Sequence, residues 1–492
     1  MLTRRQFLVG SGALFLWVPG CGLRVLEPTP ILVNDIHSQL NPTQVRRLVK
    51  PDSVPKLQAV VRNAKAEELA ISITGGRHAM GGQQFGADTL LVDMTMMNQV
   101  LGFDRERGVI EVEAGIQWPE LIEYLLRVQA GRQSQWGIIQ KQTGADRLSI
   151  GGALSANIHG RGLRFKPIIG DVESFVLVDA EGKLHSCSRK ENPELFRLVI
   201  GGYGLLGIIA TVKLRLMPRT KLERVVEMIG VDELAAAFEK RIAEGFMYGD
   251  FQYSIDINAD EFLRKGIFSC YRPIDESRSV LEGQKELAAE DWRELYYLAH
   301  TDKKRAFEKY SRFYLSTSGH VYWSDIHQLS VYIDNYHQEL DKRLGAAQSG
   351  TEMITEVYVP RNELTRFLGD VRKDFRENKV DLIYGTIRLI EKDGESFLAW
   401  AKDRYACVIF NLHVVHSAEG LERSAQAFRR LIELAVLYGW SYFPTYHRWA
   451  TRKQVETCYP QFVEFLRLKL KYDPEERFQS EWYRHYRKMF GA

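Results

Sequence analysis

Residues 71–83 read Ile71-Ser-Ile-Thr-Gly-Gly-Arg-His-Ala-Met-Gly-Gly-Gln83, and this stretch decides how the chain is interpreted. The apolar run from Leu69 to Ile73 is typical of a buried strand, and two glycines follow it directly. Closely spaced glycines let the backbone turn sharply and bring several N–H groups toward one point. Such a concavity suits a phosphate or pyrophosphate, and His78 lies in its middle. Taken alone, the stretch leaves open a glycine-rich hairpin with a surface histidine.

The composition is that of an ordinary globular chain. Its 492 residues, 45% hydrophobic and 26% charged, are enough for two to three domain-sized units. A formal net charge of +3 gives no electrostatic case for nucleic-acid binding. The five cysteines show neither CxxC nor Cys/His zinc spacing, so no metal site is predicted. We expect isolated thiols at Cys187, Cys270, Cys407 and Cys458.

We expect residues 1–30 to be a targeting signal that is not part of the fold. Thr3-Arg-Arg-Gln-Phe-Leu8 precedes an apolar run to Val18 that is too short to span a bilayer. This pattern is that of a signal peptide, and the paired arginines resemble the twin-arginine export signal. Val18-Pro-Gly-Cys21 resembles a lipoprotein cleavage site, although its proline is atypical. We therefore expect export to a periplasmic or envelope location, where Cys21 is the candidate for a lipid anchor and the only expected contact with a membrane; a disordered basic tail is the alternative.

Two further glycine-rich blocks follow, at residues 144–162 and 201–207. The first is too long for a hairpin turn and has neither Walker nor Rossmann spacing. Its Ser149 and Gly151-Gly152 offer hydroxyl and N–H donors, and His159-Gly160 lies nearby. Strands mixed with short helices around three glycine clusters predict an α+β fold.

Patterning elsewhere predicts several elements in the second half. Leu382 to Ile390 is predicted as a strand, and residues 280–345 show helical patterning with many tyrosines. Ser417 is the predicted N-cap of a helix from Ala418 to Tyr438. Near the start of the first domain, Leu40 to Arg47 is predicted to be irregular or briefly helical.

Residues 40–217 resemble the PCMH-type FAD-binding domain of the vanillyl-alcohol-oxidase family of FAD-linked oxidases. The loop Arg77-His-Ala-Met-Gly-Gly-Gln83 is similar to the flavin-attachment loop of cytokinin dehydrogenases, Gly-His-Ser-x-x-Gly-Gln. Ser149-Ile-Gly-Gly-Ala153 and Ile158-His-Gly160 are similar to segments of aldonolactone and alditol oxidases and of the decaprenylphosphoryl-ribose oxidase. Three matching loops in order are more specific than any one of them.

The resemblance implies a two-subdomain FAD domain, an α+β substrate or cap domain over 218–440, and a segment 441–492 that returns to the FAD domain. It implies that the first loop cradles the pyrophosphate, that the second block closes over it, and that the third lies near the adenine or ribose. The implied FAD-binding residues are Gly75, Gly76, Arg77, His78, Ala79, Gly82, Gln83, Ser149, Gly151, Gly152, His159, Gly207 and Ile209. His78 matches the histidine bonded to the flavin 8α carbon in many members, so we expect covalent FAD, with tight noncovalent FAD as the alternative.

Arg388 is the first candidate catalytic residue. Tyr384-Gly-Thr-Ile-Arg-Leu-Ile390 is similar to the Glu-Ile-Arg strand of alditol oxidases, in which the arginine faces the flavin. Thr386 stands where that family has glutamate. An arginine on an otherwise apolar strand is costly to bury without a partner, so a structural ion pair is the alternative.

The second candidate segment is Tyr446-His-Arg-Trp-Ala-Thr451, which falls where aldonolactone oxidases have His-Trp-Ala-Lys. Arg448 and Thr451 depart from that pattern, which puts an aldonolactone or simple polyol substrate in doubt. His447 has a pKa suited to a catalytic base and Tyr446 has a hydroxyl. Either residue could instead be structural, so the base stays open between them.

The resemblance implies oxidation of a C–H that bears a hydroxyl or amine, with hydride passing to flavin N5. An alcohol or sugar-type small molecule is preferred, because Ile158-His-Gly160 resembles the sugar-oxidising branch. Electrons would then pass to O2 or to an envelope acceptor. A flavin reductase or half-epimerase acting on a sugar lipid, and a flavin-binding lipoprotein without turnover, are the alternatives.

Overall fold

The computed structural model describes residues 30–280, 283–284, 286–330 and 333–491. The predicted export signal and Cys21 lie outside these ranges. No helix within the ranges is both long and apolar enough to cross a lipid bilayer. The other four cysteines are buried free thiols, as predicted.

Strands and helices alternate irregularly along the chain, which confirms the predicted α+β class. The elements up to residue 218 are β1 (Ile31–Val33), β2 (Thr43–Val45), β3 (Arg47–Val49), α1 (Val54–Ala66), β4 (Ile71–Thr74), β5 (Leu90–Asp93), β6 (Val100–Asp104), β7 (Val109–Glu113), α2 (Trp118–Val128), β8 (Trp136–Ile138), α3 (Ile150–Ala156), β9 (Val172–Val178), β10 (Leu184–Ser188), α4 (Pro193–Val199) and β11 (Ile208–Pro218). The elements that follow are β12 (Lys221–Gly230), α5 (Val231–Ala243), β13 (Tyr248–Tyr253), β14 (Lys265–Pro273), α6 (Ala289–Thr301), α7 (Lys303–Ser316), β15 (Val321–Trp323), α8 (Tyr336–Leu344), β16 (Gly350–Pro360), α9 (Leu364–Asn378), β17 (Leu382–Ile390), β18 (Tyr405–Val415), α10 (Ala418–Val436), β19 (Ser441–Tyr442), α11 (Arg452–Cys458), α12 (Phe462–Tyr472) and α13 (Glu481–Phe490).

The first part of the chain builds two main sheets. A parallel sheet has the order β3-β5-β4, and its strand β5 is buried along its whole length, as expected for an apolar parallel strand. An antiparallel sheet has the order β10-β9-β11-β7-β6, with β8 paired to the end of β11. The glycine loop of residues 75–83 leaves the end of β4. This arrangement sends the loop toward the second glycine block, which runs into α3.

The second part of the chain is built on an 8-stranded sheet of order β15-β12-β14-β13-β17-β18-β16-β19. Helices α5, α9 and α10 pack against its strands β12, β16 and β18. Helices α6 and α7 contact β17, β12 and β14. Their apolar and tyrosine side chains line a cavity over the sheet, so the tyrosine-rich stretch is part of a pocket wall as well as helix packing.

Local signals placed several elements correctly, and one expectation was wrong. Ser417 accepts a hydrogen bond from the Gly420 N–H at 3.0 Å and caps α10, as predicted. Strand β17 has the predicted bounds. The segment Leu40 to Arg47 is not helical, because it contributes to β2 and β3. Strands of three residues are too short to show an alternating pattern, which explains the error.

The C-terminal helices bring the chain back to the parallel sheet. Phe478 forms a parallel bridge with Ile71 of β4. The Ile71 N–H donates to the Arg477 carbonyl at 2.6 Å, and the Gln479 N–H donates to the Ile71 carbonyl at 2.8 Å. The Phe478 ring is fully buried in the core of that sheet. The strand that leads into the glycine loop is therefore held on its outer edge by the tail.

Replacing Phe478 with alanine tests this attachment. Because the ring is fully buried, we expect Phe478→Ala to lower the free energy of unfolding of the holoprotein by about 3–5 kcal/mol, measured by denaturant titration. The matched control is Leu437→Ala, since Leu437 is 66% exposed. The control is expected to change stability by about 0.5 kcal/mol or less. Equal stabilities of the two variants would contradict the structural role of the tail.

Candidate functional site

A cavity of about 840 Å³ lies between the glycine loops of the first part of the chain and the 8-stranded sheet. A smaller cavity of about 110 Å³ adjoins it. Gly75, Ala79, Ser149 and Gly152 line both cavities. The first two glycine blocks therefore meet at the junction of the two cavities, and together the cavities can hold one elongated ligand.

The loop after β4 approaches neighbouring backbone so closely that side chains are excluded. A Cβ atom on Gly76 would lie 2.1 Å from the carbonyl oxygen of Arg147. Arg77 adopts a left-handed backbone with φ of 60°. Within the described ranges, no acceptor contacts the backbone N–H groups of Gly75, Gly76, Arg77 or Ala79. A short run of N–H groups beside a cavity, with no acceptor of their own, fits a phosphate or pyrophosphate.

The second glycine block plays a different part from the one expected. The Gly151 N–H donates to the Ala114 carbonyl at 2.7 Å, and the Gly152 N–H donates to the Ser149 hydroxyl at 3.3 Å, which caps α3. These N–H groups are already engaged, so the expectation that they are donors to the cofactor is not met. Their small size matters instead, because a Cβ on Gly151 would lie 3.0 Å from the Ala114 Cβ, and one on Gly152 would lie 3.1 Å from the Ser149 hydroxyl oxygen.

The third glycine block borders the smaller cavity. Gly207 and Ile209 line it, and so does Gln83. Gly207 has a φ of 150°, and a Cβ there would lie 2.6 Å from the Val178 carbonyl oxygen. Gly82 lines neither cavity, since it packs beside Arg448.

His78 lines the large cavity and contacts a second histidine, which is half-buried. Its Nδ1 lies 2.8 Å from Nε2 of His37, which the sequence did not single out. Burial, and then the neighbouring His37, lower the pKa of His78 to about 3. Burial likewise lowers the pKa of His37 to about 4. Both imidazoles are therefore neutral at pH 7.

Strand β17 forms part of the cavity floor. Its alternate residues Tyr384, Thr386 and Arg388 line the cavity, as the period of a strand requires. Arg388 is buried, yet no carboxylate lies within 4.0 Å of it in the described part of the chain, and its Nε has no hydrogen-bond partner there. The alternative of a structural ion pair is not found among these residues. Its position fits an arginine held for a ligand.

Glu356 on β16 joins two cavity-lining side chains, although sequence reasoning missed it. One of its carboxylate oxygens lies 2.7 Å from Nε2 of His159, and the other accepts the Tyr446 hydroxyl at 3.4 Å. Nδ1 of His159 lies 3.0 Å from the Gly160 carbonyl, which can only accept, so Nδ1 carries a proton. A hydrogen bond between His159 Nε2 and the Glu356 carboxylate therefore requires a second proton, carried by one of these two atoms. Burial and then Glu356 raise the pKa of Tyr446, so its hydroxyl stays protonated at neutral pH.

His447 is not among the residues that line either cavity. Its Nε2 lies 3.1 Å from the Thr355 hydroxyl, and its Nδ1 accepts the Trp449 N–H at 3.3 Å. Its ring stacks on Phe428 with centroids 4.7 Å apart. Burial lowers its pKa to about 3. These contacts favour the structural alternative for His447, and Tyr446 is the member of the pair that reaches the cavity.

A further histidine cluster lies outside the cavity lining. Side chains of His300, Glu352 and His413 place potential metal-ligand atoms within 4.8 Å of one another. Glu352 also lies 3.0 Å from both His300 and His337. Of these contacts, the one between His300 Nε2 and Glu352 is a hydrogen bond, whereas Nδ1 of His337 and Nδ1 of His413 make none among the described residues. The residues are far apart in the sequence, so ligand spacing could not have found them.

Comparisons with known proteins agree with the geometry of the loops. A family model described as an FAD binding domain matches residues 45–188. Residues 45–188 form an FAD-binding domain. The predicted resemblance to FAD-linked oxidases is confirmed for this FAD domain, and FAD is its cofactor.

Curated relatives match the chain at low identity. Rice (Oryza sativa subsp. japonica) L-galactono-1,4-lactone dehydrogenase 1 is 28% identical over 218 residues, 43% of this chain and 36% of the relative. Cytokinin dehydrogenase 8 of Oryza sativa subsp. indica is 29% identical over 248 residues, 45% of each chain. Mouse (Mus musculus) L-gulonolactone oxidase is 27% identical over 174 residues, 35% of this chain and 38% of the relative. The chain thus spans less than half the length of the curated relatives it matches.

The residues of the two cavities fit FAD in chemical character. The N–H groups of residues 75–79 suit its pyrophosphate, as argued above. The smaller cavity has apolar walls that include Ile73, Ile208 and Ile209, which suit an adenine ring. The large cavity has room for a ring system together with a substrate.

Replacing Gly76 with alanine tests the loop as the FAD cradle. The added Cβ would meet the Arg147 carbonyl, so we expect Gly76→Ala to weaken FAD binding by about tenfold or more, about 1.4 kcal/mol, and so to lower the ratio of FAD to protein after purification. Flavin absorbance of the denatured protein measures that ratio. Gly102→Ala is the control, because nothing lies within 4 Å of a Cβ there. Full FAD occupancy in Gly76→Ala would show that this close approach is dispensable.

Proposed function

We propose that the protein is an FAD-dependent oxidoreductase that removes hydride from an alcohol or sugar-type C–H. The observation that carries this proposal is a cavity of about 840 Å³ that the FAD domain and the 8-stranded sheet line together. One wall of it bears His78 of the FAD domain, and the other bears Arg388 and Tyr446. Relatives named as sugar-lactone dehydrogenases and oxidases support the substrate class.

Bound FAD would supply a two-electron acceptor, and the protein would handle the proton and the charge. The Tyr446 hydroxyl lines the cavity and donates to Glu356, which is fully buried behind it. A proton leaving a substrate hydroxyl can therefore pass to Tyr446 while the tyrosine proton passes to Glu356. We assign Tyr446 as the relay and Glu356 as the proton acceptor, through the carboxylate oxygen that faces Tyr446 and not the one that shares a proton with His159.

Arg388 supplies positive charge to the same region. Its guanidinium has no compensating carboxylate within 4.0 Å among the described residues. A fixed positive charge in a buried site stabilises negative charge that develops during an oxidation more strongly than it would in water. We assign to Arg388 the stabilisation of this negative charge.

We further propose that FAD is bound covalently through His78. The loop spacing resembles that of cytokinin dehydrogenases, and one matched relative is named as such. His78 lines the cavity, and its lowered pKa keeps the imidazole neutral, which a nucleophilic nitrogen must be.

Acid precipitation tests the covalent bond. We expect the precipitated wild-type protein to stay yellow and fluorescent, and the His78→Ala variant to release all its flavin. His485→Ala is the control, since His485 is a half-buried histidine on α13 that lines neither cavity. Complete release of flavin from the wild-type protein would leave noncovalent FAD as the answer.

Glu356→Gln tests the proton acceptor. After a sugar, polyol and amine panel has identified a reducing substrate by flavin bleaching and peroxide release, stopped flow measures the rate of flavin reduction. We expect Glu356→Gln to keep FAD and to slow reduction by about 100-fold or more, because a positioned base contributes that much. Glu352→Gln is a matched control, since Glu352 is a buried, histidine-paired carboxylate on the same strand outside the cavity.

An unchanged rate in Glu356→Gln would remove this carboxylate from the mechanism. A flavin that the panel leaves oxidised but that NAD(P)H bleaches would instead favour a reductase.

A further inference from the structure

One wall of the large cavity carries two arginines from different parts of the chain, Arg224, which is buried, and Arg161, whose side chain is 13% exposed. Arg161 lies near the end of the second glycine block, Arg224 lies on β12, and His327 lines the cavity with them. We propose that these three residues, the arginine wall, bind the carboxylate or phosphate group of an anionic substrate. The inference rests on the proposed function and names its substrate class as an alcohol or sugar that carries one acidic group.

Arg224 has only neutral partners. Its Nε donates to the Tyr271 hydroxyl at 2.8 Å, and one Nη donates to the Thr317 hydroxyl at 3.0 Å. The rings of Tyr271 and Tyr322 lie 5.1 and 4.7 Å from its guanidinium carbon. Within the described ranges, no carboxylate lies within 4.0 Å of this buried charge. Hydroxyls and ring faces orient the guanidinium but do not neutralise it.

Arg161 is the member of the arginine wall that lies near a carboxylate, that of Asp250. One of its Nη atoms lies 3.6 Å from Asp250, and the other donates to the His327 carbonyl. Its Nε is buried and has no hydrogen-bond partner in the part of the chain that the structure describes. Asp250 can therefore offset one of the two guanidinium charges, and the other remains uncompensated.

His327 gives a second, independent sign of a missing ligand. It is 5% exposed, and neither ring nitrogen makes a hydrogen bond of good geometry among the described residues, although backbone groups of Trp323 and Ser324 lie close enough to affect its pKa. Its ring is held between Tyr248 and Tyr271, with centroid distances of 4.5 and 4.6 Å. Burial, and then the two arginines, lower its pKa well below the usual value, so a neutral imidazole offers one N–H donor. A buried polar ring without partners is costly unless a ligand completes it.

The charge balance of the whole cavity points the same way. Among the described residues, its lining holds four arginines, Arg77, Arg161, Arg224 and Arg388, and two carboxylates, Asp250 and Glu286. Glu286 accepts the Tyr322 hydroxyl at 3.0 Å and forms no ion pair within 4.0 Å with these arginines. The lining is therefore more positive than negative. Guanidinium groups match the planar, two-oxygen geometry of carboxylate and phosphate, so an acidic group fits this wall better than a neutral hydroxyl.

The acidic group of the substrate serves for binding and is unchanged by the oxidation. The oxidation converts the substrate H–C–O–H to C=O: the hydride leaves with both electrons to FAD, and the hydroxyl proton passes to the Tyr446–Glu356 set. The tyrosine hydroxyls of Tyr310, Tyr314 and Tyr384 also line the cavity and can meet neutral hydroxyls of the same substrate. Recognition by the arginine wall would thus fix which end of the substrate points away from the reacting carbon.

Paired ligands test the inference on the FAD-loaded protein. We would titrate gluconate against glucitol for the carboxylate, and glucose 6-phosphate against glucose for the phosphate, following the flavin absorbance spectrum and calorimetric heat. We expect at least one acidic ligand to bind about tenfold or more tightly than its neutral partner, with affinity that falls as salt is raised. The two pairs tell a carboxylate site from a phosphate site.

Variants assign the binding to the arginine wall. We expect Arg224→Gln and Arg161→Gln each to weaken the acidic ligand by about 30-fold or more, since each removes a charged partner, and to leave the neutral ligands unchanged. Arg224→Lys keeps the positive charge but loses the paired N–H donors of the guanidinium, so we expect an intermediate loss of affinity for the acidic ligand. Arg366→Gln is the control, because its side chain is 63% exposed. If the glutamine variants do not fold, competition by acetate and by inorganic phosphate on the wild-type protein supplies the same test.

Equal affinity for acidic and neutral partners, or no binding of any acidic ligand, would overturn the inference. The proposed function fails separately, because ligand binding is read without turnover. Acidic ligands that bind but never reduce the flavin would count against the oxidoreductase proposal alone. A neutral alcohol that reduces the flavin, with no preference for acidic partners, would count against the arginine wall alone.

Discussion

The rest of the site depends on a close backbone contact between the first two glycine loops, which leaves no room for a side chain at Gly75 or Gly76. The loop after β4 meets the second glycine block so closely that a Cβ on Gly75 or Gly76 would lie 2.1 Å from Ser149 or Arg147. The first loop lines the cavity, and the N–H groups of Gly75, Gly76, Arg77 and Ala79 have no acceptor among the described residues. The tail supports this arrangement from the opposite edge of β4, where Ile71 bonds to the backbone around Phe478. The backbone of the cofactor site is therefore fixed on one side by close packing of the two glycine loops. On the other side it is fixed by the β-bridge hydrogen bonds between Ile71 and the C-terminal segment.

The second constraint is the polar face of the 8-stranded sheet. Antiparallel pairing sets Arg388 beside Cys407, and Thr386 beside Ile409 and then Glu356, on neighbouring strands. Alternation along each strand turns these side chains to one face. Polar groups in a buried sheet face weaken a core, so their presence marks the area that the protein keeps for chemistry. The FAD domain brings His159 to the same face, and the contact with Glu356 joins the two parts of the chain at the point where a proton can be held.

Local sequence was enough for the features that depend on neighbours in the chain. The glycine loops, the bounds of β17 and the Ser417 cap are all local, and each was predictable. Glu356 was not, because its partner His159 is 197 residues away and its own strand reads as ordinary alternation. His447 shows the opposite problem: its residue type suits a base, but stacking on Phe428 and two hydrogen bonds decide its place. Side-chain type alone cannot say on which side of a core a residue will lie.

Burial sorts the charged groups of the cavity into two kinds. His37 and His78 titrate far below neutral pH, because desolvation penalises an imidazolium. Arginine keeps its proton at any accessible pH, so Arg161, Arg224 and Arg388 hold a positive field that does not change near neutrality. The constant positive field orients and stabilises negative charge, His37 and His78 stay neutral, and the substrate proton passes through Tyr446 to Glu356. The same FAD domain can serve many reactions, because the chemistry is set by the sheet that faces it rather than by the loops that hold the cofactor.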